Sequence, residues 1–371
     1  MPSAHMFPEP PSSSIDWSSI GSDAAELTSH VESTYSSVTQ SWSAPTVVDS
    51  PYLHINGFAA GLNHGGPYYE TLTARRTRDD RILLFRPLEH AHRLADAAAS
   101  RGMVPVPESH FLACVKKVVA VNTSYVPPHH IDAVLFLRPL LFGPGTPRIR
   151  DSPAEYTFYV FARPGMVYPR TAAQNAIVLT DSDHEGICAP INTPRNGGGG
   201  IWEGKWQWDA DTTPLPNRPW APREGYSMVL RLDSARPPLI DRFSTSAFLG
   251  VREDKGKYTL VVPRHPSASI LSDTCVAIAP RLGWKVEIGP IPIDEIDTLS
   301  EVIATSAVHW LLPVRLVFRP SARQTVVYQS GSHEAGPACQ VLRNAIGNLM
   351  GGRVADPWRW GVPVTRRDWV A

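Results

Sequence analysis

Two groups of polar residues have the side-chain types that are found in metal sites. His129 and His130 adjoin in a proline-rich loop, and segment 181–185 contains two aspartates, a histidine and a glutamate. Imidazole and carboxylate groups bind zinc, but known zinc sites have characteristic ligand spacings that neither group shows. We therefore predict solvated loops at both places and no metal site.

The cysteines and glycines also lack the spacing of a catalytic or nucleotide-binding motif. Four cysteines lie far apart with no CxxC pair: Cys114, Cys188, Cys275 and Cys339. Free thiols are typical of reducing compartments, so we expect a cytoplasmic protein. The run 197–200 is four glycines, which is neither GxGxxG nor a P-loop. It predicts flexible backbone, as in a lid whose apolar face comes from the nearby tryptophans.

The overall charge excludes two classes of partner. The 371 residues include 35 basic and 35 acidic side chains, which gives a formal net charge of zero. Proteins that bind nucleic acids or anionic membranes usually carry basic surfaces, so we expect neither partner. No apolar stretch is long enough to span a bilayer. Acidic residues but no Lys or Arg precede Arg75, a pattern typical of neither a secretory signal nor a mitochondrial presequence.

Strand-like and helix-like segments alternate along most of the chain. Residues 1–45 are rich in serine and proline, and we expect them to form a flexible arm. Apolar residues then repeat at helical or strand spacing. The predicted helices lie near residues 88–98, 111–119, 269–282 and 338–350. We predict an α/β (α+β) fold with mixed sheets, divided into an N-terminal domain (46–175) and a C-terminal domain (176–371).

Several segments together resemble one enzyme family. They are HGGPYYETLTARRTRDDRILLFRPLEHAHRL (64–94), FLRPLLFGPG (136–145), EYTFYVFARP (155–164), LIDRFSTSAFLGV (239–251), SILSDTCVAIAPRLGWKVEIGPIPIDEI (269–296) and GPACQVLRNAIGNLMGGRVADPWRWGVPV (336–364). In this order they resemble branched-chain aminotransferases of class IV, most closely the fungal members. The resemblance implies the two-domain fold type IV, with pyridoxal phosphate (PLP) in the interdomain cleft. It also implies a small-molecule substrate and a homodimer.

The resemblance assigns several residues to the binding of PLP phosphate. Arg93 stands where the family has its phosphate arginine, and Ser272 and Thr274 lie at the start of a predicted helix. Helix N-termini bind anions through their backbone N–H groups. In the second phosphate loop, His309 and Trp310 replace small residues of the family. These two either pack in the core or form a remodelled wall of the substrate pocket.

The acid beside the pyridine nitrogen is absent from its expected position. The matching residue is Arg242, and Asp241 precedes it. Adjacent side chains of a regular strand point to opposite faces, so Asp241 should not substitute for the acid. An arginine beside the ring nitrogen would leave the ring a poor electron sink.

The lysine for the covalent link to PLP has one candidate. Only six lysines occur in the chain, and counting from either side of residues 184–223 gives positions that differ by about ten. Lys205 is the candidate, but tryptophans flank it and prolines interrupt the segment that follows.

The substrate side of the expected pocket is also altered. Arg138 stands at the position of an arginine near the substrate carboxylate, and Phe136 replaces a common tyrosine. His64 stands where tyrosine is common, and Tyr69 lies near an aromatic position. Imidazole suits acid–base work near neutral pH, although a structural histidine is the simpler interpretation of His64.

These changes favour an enzyme whose PLP chemistry is lost or replaced. Arg93 and Arg138 would bind anions, and His64 and Tyr69 would move protons. Cyclisation, condensation, isomerisation or dehydration of a carbonyl- or carboxylate-bearing metabolite in specialised metabolism would suit such a site. The cofactor is left open, with covalent PLP not favoured. Two alternatives remain: a working PLP-dependent aminotransferase (amino acid/2-oxoglutarate) with Lys205 as the Schiff-base lysine, and a non-catalytic paralogue that binds a ligand or partner.

Overall fold

The computed structural model describes most of the chain in two compact units. The described residues are 7–20, 27, 29–55, 68–100, 102–143, 155–167, 173–179, 226–233, 235–264, 269–328 and 335–370. One unit contains the described residues up to Val167 and those from Asn348 onward. The other contains the described residues from Ala173 to Gly347.

The first unit contains a nine-stranded sheet whose pairs are all antiparallel. Its strands are β1 (His30–Ser36), β2 (Ser41–Trp42), β3 (Thr46–Val48), β4 (Tyr68–Tyr69), β5 (Leu72–Arg76), β6 (Ile82–Phe85), β7 (Ala133–Phe142), β8 (Glu155–Met166) and β18 (Gly361–Val364). The main order is β18-β6-β5-β7-β8-β1-β2, while β3 pairs with β1 and β4 with β7. The long pair β7–β8 forms the centre of the sheet.

Two helices cover one face of this sheet. They are α1 (Pro87–Ala99) and α2 (Glu108–Val121), and a short 3-10 turn and a final helix complete the unit: Thr123–Tyr125 and α5 (Arg367–Val370). Apolar residues recur on α1 and α2 every three or four positions, as helical periodicity requires, and are buried in one core with the sheet. Arg86 precedes α1 in a left-handed conformation, and Pro87 begins the helix.

The second unit contains a mixed sheet of nine strands. They are β9 (Gln174–Leu179), β10 (Met228–Leu232), β11 (Ile240–Phe243), β12 (Ala247–Asp254), β13 (Lys257–Pro263), β14 (Lys285–Gly289), β15 (Glu301–Ser306), β16 (Trp310–Arg319) and β17 (Gln324–Val327). Six of these strands close into a barrel in the order β11-β10-β9-β16-β15-β12, because β11 also pairs with β12. One buried core draws side chains from all six barrel strands.

The helices of the second unit are α3 (Ile270–Ile278) and α4 (Pro337–Met350), the last turn of which is grouped with the first unit. Three 3-10 segments accompany them: Ala279–Leu282, Ile293–Thr298 and Pro320–Ala322. The 3-10 turn after α3 ends at Gly283, whose φ of 78° is left-handed. Such a conformation favours glycine because it lacks a β-carbon.

The α/β fold with two sheet-containing parts and the four helices are confirmed. Two boundaries differ from the expectation. The segment 1–45 is not wholly a flexible arm, because β1 pairs with β8 over six positions and Val31 is fully buried. The C-terminal segment does not belong wholly to the second domain, because β18 pairs with β6 in the first sheet.

Several predicted features lie outside the described residues. They are His64, Lys205, the segment 181–185 and the glycine run 197–200 with its tryptophans. Within the described part, no group of three or more potential ligand side chains could hold a metal ion. None of the described helices combines the length and hydropathy that crossing a bilayer demands.

Candidate active site

The centre of the first sheet presents Phe136 and Arg138 on one face. Leu135, Leu137 and Leu141 of β7 point into the main core. Successive side chains of a strand alternate between faces, so Phe136 and Arg138 lie on the opposite face. The geometry of β7 therefore brings these two residues to one face, and their roles at a substrate site stay predictions.

Tyr69 packs against Arg138. Tyr69 of β4 pairs with Leu140 of β7, and its ring centroid lies 4.0 Å from Cζ of Arg138. A guanidinium group over a phenol ring is a favourable cation–π arrangement, and the contact restrains the plane of the guanidinium. Two predicted site residues are thus in contact. In this arrangement Tyr69 restrains the Arg138 guanidinium, a role that differs from the proton transfer expected of it.

Arg138 remains charged despite its burial. Burial lowers the pKa of Arg138 to about 10, while the adjacent Tyr69 and the charge of Glu70 act in the opposite direction. At neutral pH the guanidinium therefore carries its proton. A largely buried, charged arginine with a planar fork of donors suits the recognition of a carboxylate.

Glu70 joins Arg93 and His90 beside this pair. Arg93 Nε donates to Glu70 Oε1 at 3.2 Å, and His90 Nδ1 lies 2.8 Å from Glu70 Oε2. Burial raises the pKa of Glu70, but the hydrogen bond from His90 and the positive charge of Arg93 outweigh it, so the net pKa lies below its ordinary value. Glu70 is thus ionised at neutral pH. Arg93, the predicted phosphate arginine, is held by a carboxylate that sequence reasoning did not assign.

A β-bulge in the second unit changes the expected direction of Asp241. Arg231 pairs with Arg242, but the next residue of β10, Leu232, pairs with Ile240, so Asp241 is the extra residue. Both residues that flank the pair, Ile240 and Phe243, point into the core. A bulge interrupts the regular alternation of faces. Asp241 and Arg242 therefore share the face opposite the core.

The contact between the two side chains agrees with this geometry. Asp241 Oδ2 lies 3.7 Å from Arg242 Nε, and both side chains are largely buried. The expectation that strand alternation would turn Asp241 away from Arg242 is wrong, because the strand is not regular at this point. A carboxylate is present where the sequence-based assignment found only a guanidinium.

A row of paired residues connects this carboxylate with the start of α3. Arg242 pairs with Ala247 of β12, which pairs with Thr305 of β15. Directly paired residues lie on the same face, and two strand spacings separate Arg242 from Thr305 by about 10 Å. The Thr305 hydroxyl lies 2.7 Å from that of Ser269. One face of the barrel therefore presents Asp241 and Arg242 near one end of this row and the start of α3 at the other.

The start of α3 uses its hydroxyl groups locally. Ser269 is the N-cap and accepts a hydrogen bond from the backbone N–H of Ser272 at 3.0 Å. The Thr274 hydroxyl donates to the carbonyl of Ile270 at 2.7 Å, within the helix. Both Ser272 and Thr274 are buried. The hydroxyl of Thr274 is thus engaged within the helix, and its predicted role at the phosphate stays a prediction. The Ser269–Thr305 pair is the feature that sequence reasoning missed.

His309 and Trp310 occupy the tight connection between β15 and β16. The backbone N–H of His309 donates to Ser306 Oγ at 3.1 Å, and Ser306 pairs with Trp310. Both side chains are buried, and Trp310 has a left-handed φ of 54°. A bulky residue in this conformation is strained by about 1–3 kcal/mol, and such strain is frequent at functional sites. Burial agrees with either predicted role, core packing or pocket wall.

Signals for the missed residues exist in the sequence but are weak. A serine directly before an apolar pair that begins a helix is a common N-cap signal, which points to Ser269. His90 and Arg93 have helical i,i+3 spacing and so share a face of α1. The bulge at Asp241 has no marker such as glycine in the sequence, so it was not predictable from the pattern.

Comparison with known proteins gives relatives along nearly the whole chain. Aminotransferase poxL of Penicillium oxalicum is 35% identical over 352 residues, covering 94% of this chain and 93% of the relative. An aminotransferase of Gibberella zeae is 35% identical over 354 residues, covering 95% and 87%. Aminotransferase atnJ of Emericella nidulans is 34% identical over 337 residues, covering 89% and 93%. No protein-family model matches the chain.

Solved structures show the same fold. The branched-chain amino acid aminotransferase of Thermobaculum terrenum in its PLP form has a TM-score of 0.64 at 16% identity, covering 92% of this chain and 99% of that one. The branched-chain aminotransferase of Thermoproteus uzoniensis with norvaline also has a TM-score of 0.64, at 16% identity, covering 90% and 100%. At such low identity these similarities establish the fold alone.

The sequence relatives correct the leading functional hypothesis. All three carry aminotransferase names at 34–35% identity and match at least 89% of this chain. The hypothesis that PLP chemistry has been lost or replaced by cyclisation, condensation, isomerisation or dehydration is therefore wrong. It relied on the uncertain position of the Schiff-base lysine, on Arg242 in place of the acid, and on the altered phosphate and substrate residues. The coarser expectation that the chain is an enzyme is confirmed by the same relatives.

Proposed function

We propose that the chain is a working PLP-dependent aminotransferase. It belongs to the family of its fungal aminotransferase relatives, and it has the fold of class IV branched-chain aminotransferases. The observation that carries this proposal is the 35% identity to named aminotransferases over nearly the whole chain. Its substrates would be an amino acid and 2-oxoglutarate.

The residues on one face of the barrel suit this cofactor. PLP, when bound, supplies an aldehyde that captures an amine and a ring that withdraws electrons. The Asp241 carboxylate would hold a proton beside the ring nitrogen. The start of α3, with the backbone of Ser272 and the Ser269–Thr305 pair, would border the phosphate. A carboxylate that accepts a hydrogen bond from the ring nitrogen and a helix start that donates to the phosphate are two of the groups that this cofactor needs.

The arginines of the first unit would bind the anionic groups. Arg93 would bind the phosphate of PLP, and Arg138 would bind the carboxylate of the substrate. Tyr69 would hold the guanidinium of Arg138 in plane, as their 4.0 Å contact supports. Phe136, on the same face of β7, would give the pocket an apolar wall. The roles of His64, His309 and Trp310 stay predictions.

Lys205 would supply the amine that links to PLP and moves the proton in the reaction. The test is the variant Lys205→Ala. We expect the purified wild-type protein to show the visible absorbance band of lysine-bound PLP, and the variant to lose it. Transfer of the amino group to 2-oxoglutarate should fall by at least about a thousandfold, because the covalent catalyst is removed.

The matched control is Lys285→Ala, which removes an exposed lysine on β14. It should keep both the band and the activity. A wild-type protein that binds no PLP would overturn the proposal and favour a non-catalytic paralogue. A Lys205→Ala protein that keeps the band would overturn the assignment of the lysine.

The assembly and location form part of the same proposal. We propose a cytoplasmic homodimer, with a biosynthetic role in specialised metabolism. The described cysteines 114, 275 and 339 are free and buried, which agrees with a reducing compartment. Light scattering of the purified protein would measure its oligomeric state.

A further inference from the structure

The Glu70 carboxylate contacts two residues of α1 in the first unit. Its Oε1 accepts from Arg93 Nε at 3.2 Å, and its Oε2 lies 2.8 Å from His90 Nδ1. The side chains of Glu70 and His90 are only 16% and 8% exposed, whereas that of Arg93 is 43% exposed. Glu70 and His90 are thus shielded from solvent, and together they hold Arg93, which solvent can reach.

The direction of the hydrogen bonds follows from the charge of the carboxylate. An ionised carboxylate only accepts hydrogen bonds, so His90 Nδ1 carries a proton and donates it to Glu70. Arg93 donates through Nε, one edge of its planar guanidinium. The rigid geometry of the guanidinium then sets the direction of the two terminal nitrogens.

We propose that Glu70, held in place by His90, is the positioning residue that orients Arg93 toward a phosphate monoester dianion. This inference rests on the proposed function, in which that dianion is the phosphate of PLP. Glu70 acts through Arg93 and does not touch the ligand. His90 supports it by fixing the second carboxylate oxygen.

The opposite expectation follows from charge alone. A carboxylate near an anion site repels the anion, so its removal should strengthen binding if Coulomb energy were the main effect. If Glu70 instead positions Arg93, its removal should weaken the binding of the anion. Glutamine offers one acceptor oxygen where the carboxylate holds two donors, so Glu70→Gln releases either Arg93 or His90.

The experiment measures the binding of inorganic phosphate, PLP and pyridoxal to the PLP-free full-length protein by titration calorimetry. We expect Glu70→Gln and His90→Leu to weaken the binding of phosphate and PLP about tenfold, the scale of one charge-assisted hydrogen bond, and to leave pyridoxal binding unchanged. His90→Asn should stay within about twofold of wild type, because its amide can donate from nearly the position of Nδ1.

The control is an exposed pair of the same chemistry. His92 Nε2 lies 2.6 Å from Glu108 Oε2, and Glu108→Gln should leave all three affinities unchanged. Tighter or unaltered phosphate binding in Glu70→Gln would overturn the inference, as would wild-type phosphate binding that Arg93→Ala does not reduce. The wild type could bind phosphate through Arg93 and yet give no PLP absorbance band. In that case the proposed function fails, while phosphate binding by Glu70→Gln and the wild type still decides this inference.

Discussion

At the scale of single residues, the bulge in β11 determines the face on which the Asp241 carboxylate lies. Asp241 and Arg242 share one face, and their side chains approach to 3.7 Å. An ionised carboxylate is what a protonated ring nitrogen requires as its partner.

We expect Asp241→Asn to slow amino-group transfer by about a hundredfold or more, because a neutral amide no longer stabilises a proton on the ring nitrogen. PLP should remain linked to the protein, and the pH at which its absorbance changes should shift. Stopped-flow absorbance with the amino donor measures both effects. Arg242→Gln is the comparison and should be milder. An inactive Arg242→Gln beside a fully active Asp241→Asn would contradict this role for Asp241.

The residue scale also shows where a simple strand rule agrees with the structure. Phe136 and Arg138 lie on one face of β7, as strand alternation requires, because that strand is regular over ten residues. The same rule fails at Asp241, because one inserted residue reverses the faces. Hydroxyl pairs such as Ser269–Thr305 depend on packing between distant elements, which spacing along the chain does not reveal.

At the scale of elements, a buried carboxylate of β15 caps α4. Glu301 accepts hydrogen bonds from the backbone N–H groups of Ala338 at 2.7 Å and Cys339 at 3.0 Å. These are among the first N–H groups of the helix, which have no partners within it. Burial raises the pKa of Glu301, although both N–H donors act to lower it. The first N–H groups of α4 are therefore capped by Glu301 of strand β15, and not by the side chain of an N-cap residue of the helix.

Two substitutions should break this cap from opposite sides. Glu301→Ala removes the acceptor, and Gly336→Ala adds a β-carbon that would collide with the carboxylate of Glu301. Each should lower the free energy of unfolding by about 1–3 kcal/mol, the usual cost of leaving buried donors unsatisfied. Urea unfolding of both variants measures it.

The double variant provides the control. If both substitutions act on the same contact, the double variant should lose clearly less stability than the two single losses combined. Gly347→Ala is a matched change on α4, where an added β-carbon has open space. Full additivity, or an equal loss in Gly347→Ala, would argue against the cap.

The elements also differ in how well the sequence predicts them. The helices α1 and α2 follow from apolar residues at helical spacing, because each buries one continuous face. The strand β1 was missed because its segment is rich in serine. Its pairing with β8 is a backbone interaction that does not require apolar side chains, and Val31 alone supplies a fully buried apolar group.

At the scale of the whole molecule, the first sheet depends on a distant part of the chain. The strand β18 pairs with β6 at four positions, and Val364 is buried in the first core. The resemblance predicted the fold class from motifs, but composition gave no reason to assign residues 361–364 to the first sheet. Long-range pairing is decided by packing, which local patterns do not encode.

Deleting residues 361–371 should therefore destabilise the first unit, even though the sequence-based division places them in the second. The deletion exposes the edge of β6 and removes Val364 from the core, so we expect faster proteolysis within residues 68–143. Deletion of 366–371 is the control, because it keeps β18 and should have a smaller effect. Cleavage confined to residues 226–328 would contradict the expectation.

The same pairing sets the order in which the protein can mature on the ribosome. Domains generally fold as they emerge, with the amino-terminal one first. Here the strands β1 to β8 are translated early, yet the partner of β6 emerges only after the whole barrel has been synthesised. The edge of β6 therefore stays uncovered until residues 361–364 have been translated, and its unpaired backbone groups can meet other chains during that interval.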